Sequence, residues 1–382
     1  MKLLKWYSML MILMAGACVE PYDPPLDDED VNFLVVDGFL NVTEGVANVR
    51  LTRTQPVKDS GPARLEQAAT VRVEDDNGLT HSLSEISGGV YSGTIANAAL
   101  QTSYRLLIFT SDGHQYASDF IHALPTPSID SITYSITNDG VEFSVTTHDP
   151  AGLAKHFRWK YTETYEYHSN FVSSFKFEPN GTVILRPVEE QLGVCWRTNV
   201  STDIMVASSG HLSNSVISKF GLNVIPFGSL KLTVEYSMLA QQQTLSDEAY
   251  DYWLNLEKTT EHLGGLFDPL PAEVPGNVHS LTHANEKVIG FFSGSEVTEA
   301  RIFLKRRALP KEIMSLFRNP FCALDTIMNE DLQFAGPGTI LVGAIYPLSG
   351  PGGPIGYTTA ETSCVDCTVH GGTKEKPPFW EE

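Results

Sequence analysis

Short runs of alternating apolar and polar residues, separated by turn residues, limit the fold of this chain more than any other feature. Between residues 32 and 124 these runs include FLVVDGFL, VANVRLTRT, ATVRVEDDNG, GVYSGTI and SYRLLIFTSDGHQYASD. A period of two is that of a half-buried β-strand. The pairs Asn77-Gly78 and Asp112-Gly113 indicate tight hairpins, because glycine tolerates the positive φ that such turns need. We therefore predict an immunoglobulin-like β-sandwich over residues 32–124.

A second β-rich unit is predicted after a boundary that contains two prolines. Pro125 and Pro127 interrupt the alternation, and clustered prolines are typical of a break between domains. The pattern then resumes in IDSITYSI, GVEFSVTTHD, HFRWKYTETYEYHS and SLKLTVEYSML. We expect residues 128–382 to form a larger β-rich domain, which ends in a tail rich in Gly, Pro and Cys.

One helix is predicted inside this second unit, over residues 246–264. Ser246 is suited to cap it, and Asp247 and Glu248 follow in the first turn, where acidic side chains suit the helix dipole. Gly264-Gly265 ends the pattern. Residues at three- and four-residue spacing share one face, which we expect to pack on a sheet. They are Ala249, Trp253, Leu256, Thr260 and Leu263.

The N-terminus has the layout of a secretory signal over residues 1–17. Lys2 and Lys5 precede an apolar run, and Ala15, Gly16 and Ala17 lead into Cys18. A cysteine directly after small residues is the acceptor of diacylglycerol in bacterial lipoproteins, so we predict a lipid on Cys18. The alternative is an ordinary signal with a chance cysteine, and Ala15 departs from the usual Leu or Val at that position.

An acidic, proline-rich segment follows over residues 18–31, which we interpret as an extended tether. It contains Asp27, Asp28, Glu29 and Asp30. Acidic residues just behind a lipidated cysteine mark some lipoproteins for the cell surface. A solvated linker without any address function is the other interpretation.

Composition limits the class of partner. Removing residues 1–17 takes away Lys2 and Lys5 and no acid, which lowers the net charge of −20 by two, to −22. Such a chain is repelled by phosphate backbones, so nucleic-acid binding is disfavoured. Outside the signal, no apolar stretch is long enough for a transmembrane helix. We expect the lipid to be the membrane anchor, in the outer membrane and facing the cell surface.

The cysteines other than Cys18 predict a disulfide framework. Beyond the inner membrane thiols are oxidised, so Cys195, Cys322, Cys364 and Cys367 should form two bridges, for which three pairings exist. Bridges from Cys195 and Cys322 to the C-terminal pair would close long loops and stabilise most. A redox CxxC would need a thioredoxin-like context. A zinc site of Cys322, Cys364, Cys367 and His370 is the other alternative.

Several blocks of the chain resemble a known family. They include FLVVDGFL, PSIDSITY, FRWKYTETYE, LTVEYSM, YDYWLNLEKTTEHLGGLFDPLPAEVPGNVHS, VIGFFSGSEV and CVDCTVHGGTKEKPPFW, which together span nearly the whole mature chain. The chain is similar to a family of Bacteroidota lipoproteins known as domain of unknown function 4249. The resemblance implies an outer-membrane or surface lipoprotein, often encoded beside a TonB-dependent receptor. It implies no biochemical activity and no catalytic motif.

Signatures of catalysis are mostly absent from the sequence. It contains no G-x-S-x-G, no H-E-x-x-H and no phosphate-binding loop. His279 and His283 could meet on a helix and bind a metal, but Pro275-Gly276 favours a loop. The alternating residues Trp159, Tyr161, Tyr165 and Tyr167 could stack on a flat ligand or, as we expect, pack in a core.

We therefore predict a lipid-anchored binding or assembly protein, an accessory of a TonB-dependent nutrient receptor, rather than an enzyme. No cofactor is expected. The alternative is a surface hydrolase of glycosidase type with an acidic site built from loops. Glu163 and Glu166 are the acid pair that such an enzyme could use, although solvated faces explain them better.

Overall fold

The computed structural model describes residues 32–55, 61–211, 214–260, 276–314, 321–336, 338–349 and 352–380. The predicted signal, Cys18 and the tether therefore lie outside the described residues. Half of the structure is strand and 12% is helix, which confirms the prediction of a mostly β fold. Among the described residues, no helix is both long and apolar enough to cross a bilayer.

The strands of the N-terminal half are short, as the turn residues predicted. They are β1 Leu34–Asn41, β2 Val46–Arg53, β3 Arg64–Leu65, β4 Thr70–Asp75, β5 Thr80–Ser87, β6 Val90–Thr94, β7 Ser103–Phe109, β8 Gln115–Ser118 and β9 Ile121–His122.

The C-terminal half contains the longer strands and the helices. Its strands are β10 Ile129–Ile136, β11 Gly140–His148, β12 His156–His168, β13 Phe175–Phe177, β14 Val183–Leu185, β15 Val194–Val200, β16 Met205–Ser208, β17 Val216–Pro226, β18 Glu235–Leu245, β19 Val278–Ser280, β20 Val288–Ser295, β21 Val297–Lys305, β22 Asp325–Met328, β23 Thr339–Ile345 and β24 Gly356–Glu361. The helices are α1 Asp247–Thr260, α2 Lys311–Met314 and α3 Thr362–Val365.

The first nine strands belong to one nearly closed sheet around a single apolar core. Its order is β19-β8-β7-β4-β5-β6-β2-β1-β20, with β3 beside β2 and β9 beside β7. Along β1 the inward residues Leu34, Val36 and Leu40 are buried, and their neighbours are half-exposed. The period-two pattern that predicted the strands is therefore also the pattern of burial.

Two strands of this sheet come from the second half of the chain. β19 pairs antiparallel with β8, and β20 pairs parallel with β1 in the register Leu34↔Val288. Between them, the amide of Asn277 donates to the Phe292 carbonyl oxygen and accepts from the Phe292 N–H, both at 2.8 Å. The division into 32–124 and 128–382 stays a prediction, and the sheet of the first segment incorporates strands of the second.

Eight other strands of the second half form a sandwich of two sheets, and β13 and β14 pair separately. A three-stranded sheet, β10-β11-β17, covers a five-stranded sheet of order β15-β12-β18-β21 with β16 beside β12. Their shared core contains many aromatic rings. Phe143 and Tyr236 lie 5.0 Å apart between ring centroids, and Trp159 and Phe220 lie 4.7 Å apart. Such offset ring pairs contribute about 0.5–1.5 kcal/mol beyond their burial.

Helix α1 begins where the sequence predicted. The Ser246 Oγ accepts a hydrogen bond from the Ala249 N–H at 3.2 Å, which is the expected N-cap interaction. Ala249 and Trp253 are buried, together with Tyr252, against a cluster that includes Phe291 of β20. The helix therefore packs against both halves of the structure. Residues 261–264, where we predicted its end, lie outside the described residues.

Two disulfides close long loops, one between the tail and the sandwich and one within the tail. Cys195 is bonded to Cys367 across 172 residues, and Cys322 to Cys364 across 42 residues. This confirms the expected framework and selects one of its three pairings. Loop-closure entropy gives each bridge a stabilisation of about 4–5 kcal/mol. The tail itself contains the small sheet β22-β24-β23.

Candidate functional site

The cysteines of the alternative zinc set are all oxidised in this structure. The sulfur atoms of Cys322, Cys364 and Cys367 lie in disulfides. The fourth member, His370, places its Nε2 atom 2.8 Å from the Ser363 carbonyl oxygen. Zinc binds the thiolate form of cysteine, so these residues hold the tail through covalent bonds instead.

The alternating aromatic residues of β12 form core rather than surface, as the packing interpretation expected. Trp159, Tyr161, Tyr165 and Tyr167 are at most 7% exposed. The Trp159 Nε1–H donates to Gln242 Oε1 at 2.9 Å, and the Tyr167 hydroxyl donates to the Cys367 carbonyl oxygen at 2.7 Å. The polar atoms of Trp159 and Tyr167 are thus satisfied inside the protein.

Glu163 and Glu166 point to opposite faces of β12, because they are an odd number of residues apart on a strand. Glu163 is buried in the core, where it accepts a hydrogen bond from the Tyr236 hydroxyl at 3.0 Å and pairs with Lys231 at 2.6 Å. Glu166 contacts His168 at 2.7 Å on the other face, and that hydrogen bond lowers the pKa of Glu166. The structure does not bring these two carboxylates together.

His279 and His283 are also separated, because the segment that carries them is a strand followed by a loop. His279 lies 3.4 Å from Asp119 through its Nε2 atom. The ring of His283 instead stacks on that of His114, with 4.8 Å between centroids. Neither histidine approaches the other.

A polar groove between the two halves is the candidate functional site, and we call it the junction groove. It has a volume of about 270 Å³ and lies where β1 and β2 of the first sheet meet β12 and β18 of the sandwich. Its lining includes Asp37, Asn48, Arg50, Lys160 and Gln243. Clefts at the junction of two structural units are common positions for ligand sites.

Side chains alternate between the two faces of β12, and this places its cationic residues on the side of the junction groove. Phe157, Trp159 and Tyr161 point into the sandwich core, so the intervening residues Arg158 and Lys160 point out toward the first sheet. Opposite them on β18, Gln243 pairs with Arg158 and Gln241 with Lys160 in the strand register. The sequence FRWKY itself contains this alternation of aromatic and basic residues.

Arg158 is buried without an ionic partner. It is 7% exposed, and its guanidinium lies 3.4 Å from the centroid of the Trp253 ring. No carboxylate of the described residues lies within ion-pair distance of it. Burial lowers the pKa of Arg158, and the charge of Asp37 acts in the opposite direction. The cation–π contact with Trp253 and the charge of Asp37 compensate in part for its lost hydration.

Lys160 adds a second cation beside Arg158. Burial and the charge of Arg158 lower the pKa of Lys160, while Asp37 raises it. The lining of the groove thus contains two cationic side chains, Arg50 and Lys160, and the carboxylates of Asp37 and Glu44. In a chain with a net charge of −20, this groove is lined by as many cations as carboxylates.

A buried acceptor completes the groove. Gln243 is 7% exposed, and its Oε1 atom accepts no hydrogen bond from the part of the chain that the structure describes. A buried acceptor without a donor costs about 1–3 kcal/mol. Cations, amides and an open acceptor are groups suited to hold a small molecule with hydroxyl and carboxylate groups.

Two other concavities are less suited to this role. One of about 810 Å³ lies on the tail and is lined by Asp325, Glu361 and mostly small side chains, next to residues outside the described ranges. Another, of about 440 Å³, is lined largely by apolar groups such as Phe120, Leu124 and Phe291. Neither has a lysine or an arginine among the described residues of its lining, as the junction groove does.

Comparison with known proteins gives a family and no function. The model of the family described as Domain of unknown function (DUF4249) matches residues 19–301. No curated protein matches the chain. Among solved structures, chitinase ChiA74 from Bacillus thuringiensis is 12% identical with a TM-score of 0.17; the match covers 58% of this chain and 28% of that one. A likeness this weak supports no conclusion about either fold or activity.

Proposed function

The chain belongs to the DUF4249 family, and we propose that it is a lipid-anchored binding protein of the outer membrane or cell surface. In this proposal its ligand occupies the junction groove, and the protein serves as an accessory of a TonB-dependent nutrient receptor. Cys18 carries the lipid, and residues 18–31 act as the tether between the membrane and the two β-rich halves.

The observation that carries the binding role is Lys160, a cation in the lining of the junction groove, next to the buried Arg158. Burying a charge is costly unless the charge is compensated, and the described residues give neither Arg158 nor Lys160 an ion pair; Lys160 is the one of the two that lines the groove. A ligand carboxylate would supply the missing negative charge, and the amides of Gln241 and Gln243 would bind hydroxyl groups. A sugar acid combines both chemistries, so we assign this class of ligand to the groove.

The assembly role is supported by the resemblance stated above and by the charge of the chain. A mature protein with a charge of −22 would associate through basic surfaces of a partner, and such contacts weaken as salt increases. The tether predicted over residues 18–31 would let the protein reach a receptor in the same membrane.

Ligand binding can be tested by thermal unfolding of purified protein with galacturonate and with neutral galactose. We expect galacturonate to raise the melting temperature, because a ligand that binds only the folded state stabilises it. Lys160→Met should abolish the shift. Lys155→Met is the matched control, because Lys155 is exposed and lies five residues earlier in the same segment. Equal shifts with both sugars, or in the Lys160 variant, would contradict the assigned ligand class.

Anchoring can be tested by growing cells with an alkyne-labelled fatty acid. The wild-type protein should carry the label, and Cys18→Ser should lose it and keep its signal uncleaved, because the acceptor thiol is gone. Equal labelling of both proteins would remove the lipoprotein part of the proposal.

Partnership can be tested by crosslinking in intact cells, followed by affinity purification through the C-terminus. A TonB-dependent receptor should be recovered, and less of it when cells are washed in high salt before crosslinking. Recovery of the lipoprotein alone, under conditions that recover known receptor complexes, would contradict the accessory role and leave the ligand proposal standing.

A further inference from the structure

A cluster of potential metal ligands lies on the first sheet, in a place that the junction groove does not reach. It forms where strands β8 and β19 pair, since the register Ser280↔Tyr116 places the β7–β8 hairpin beside the loop after β19. The Leu281 N–H donates to the Gln115 carbonyl oxygen at 2.8 Å, and the Gln115 N–H donates to Thr282 Oγ1 at 2.7 Å. These bonds continue the ladder and hold the two loops together.

Three side chains converge there from these loops. His114 ends the hairpin, and His283 and Glu286 follow β19. Each offers one ligand atom, and the three atoms lie within 4.8 Å of one another. We propose that His114, His283 and Glu286 bind a divalent transition metal ion, with Zn²⁺ as the preferred ion. Two imidazoles and one carboxylate are a ligand set that leaves one position of a tetrahedral zinc open.

The distances between the ligand atoms fit this assignment. Zinc lies about 2.0–2.1 Å from imidazole nitrogen and about 2.0–2.2 Å from carboxylate oxygen, so neighbouring ligands in a tetrahedron are about 3.4 Å apart. His114 Nδ1 and Glu286 Oε2 are 3.3 Å apart, which is long for a hydrogen bond and close to this tetrahedral edge. His283 is exposed, so its ring can close the remaining distance without disturbing a core.

The carboxylate is already oriented by neighbouring groups, as metal ligands usually are. The Tyr116 hydroxyl donates to Glu286 Oε1 at 2.6 Å, and the Ser280 hydroxyl donates to Glu286 Oε2 at 2.8 Å. Arg53 lies close to Tyr116, but its guanidinium pairs with Glu66 at 2.6 Å and lies 3.8 Å from Asp112. The positive charge of Arg53 is therefore balanced by these carboxylates, so it repels a metal ion at the neighbouring cluster only weakly.

The test is titration of tag-free, chelator-treated full-length protein with Zn²⁺ and, separately, Co²⁺. We expect one ion per chain, with the visible absorption of Co²⁺ in a four-coordinate site. His283→Ala should weaken Zn²⁺ binding by at least about tenfold, because even residues that only orient a ligand contribute that much. Glu286→Gln is a second variant, which can keep the hydrogen bond from Tyr116 and should also lose affinity.

His279→Ala is the matched control, because His279 is an exposed histidine on the adjacent strand that interacts with Asp119 instead. It should bind Zn²⁺ as the wild type does. Binding that His283→Ala leaves unchanged would place the metal elsewhere and overturn the proposal. No Zn²⁺ binding by the wild type would overturn it as well, leaving the cluster as a hydrogen-bonded link between two loops.

Discussion

Single residues on β12 show how strand alternation separates the core from the candidate site. The aromatic residues Trp159 and Tyr161 fill the sandwich, and the cations Arg158 and Lys160, which alternate with them, lie on the other face of the strand. Glu163 is the exception, because it is a carboxylate on the apolar face. Its charge is compensated there by Lys231 and by the Tyr236 hydroxyl. Burial and the nearby charge of Glu163 raise the pKa of Tyr236, so this hydroxyl keeps its proton and remains a donor.

The ion pair of Lys231 provides a prediction at this scale. Lys231→Met should lower the free energy of unfolding by about 2–3 kcal/mol, because it leaves a buried carboxylate without its counterion. Lys305→Met is the control, because the contact between Lys305 and Glu235 is longer, at 3.6 Å, and Lys305 is 38% exposed. That change should cost at most about 1 kcal/mol. Urea denaturation at neutral pH would measure both, and equal costs would show that Glu163 is not buried as described.

At the scale of elements, the unexpected feature is strand β20. It completes the first sheet by pairing parallel to β1, although some 250 residues separate the two strands. The close approach of β20 to β1 depends on a glycine, because a Cβ atom at Gly290 would lie 2.4 Å from the Val36 carbonyl oxygen. Phe291 of the same strand also contacts the helix at Tyr252. β20 thus links the first sheet to the packed helix.

Gly290→Ala should therefore destabilise the protein by about 1–3 kcal/mol, because the added methyl group meets backbone that cannot move without breaking the ladder. Gly61→Ala is the matched control, with no atom within 4 Å of its added Cβ, and it should be neutral or slightly stabilising. The midpoint of urea denaturation, at unchanged slope, would measure both. If both variants behave alike, β20 does not lie against β1 as described.

At the scale of the whole molecule, two disulfide bonds hold the C-terminal tail, which packing alone would hold only weakly. The tail after residue 321 contains many exposed apolar residues, among them Phe334 and Leu348. Its own apolar cluster is small. The bridges Cys195–Cys367 and Cys322–Cys364 attach it to the sandwich and to itself. Such stapling is usual where a segment cannot bury enough apolar surface.

Removing these bridges should destabilise the tail. Replacing Cys195 and Cys367 together by Ser should lower stability by about 5 kcal/mol, and replacing Cys322 and Cys364 by about 4 kcal/mol, from loop-closure entropy. Limited proteolysis with mass spectrometry would show cleavage after residue 321 first. Peptide mapping without reductant should recover the two cross-linked pairs in the wild type, and a different pairing would contradict the structure.

The sequence by itself determined the secondary structure and its periodicity. Alternating runs, Asn-Gly and Asp-Gly turns, the Ser246 cap and the oxidised cysteines all act over a few residues or through chemistry alone, so they could be predicted from the chain. Only the tertiary structure decided which distant segments meet. The return of β19 and β20 to the first sheet, the choice among three disulfide pairings, the groove around Lys160 and the cluster of His114, His283 and Glu286 each join residues far apart in sequence. Such contacts depend on the packing of whole sheets, and no local propensity encodes them.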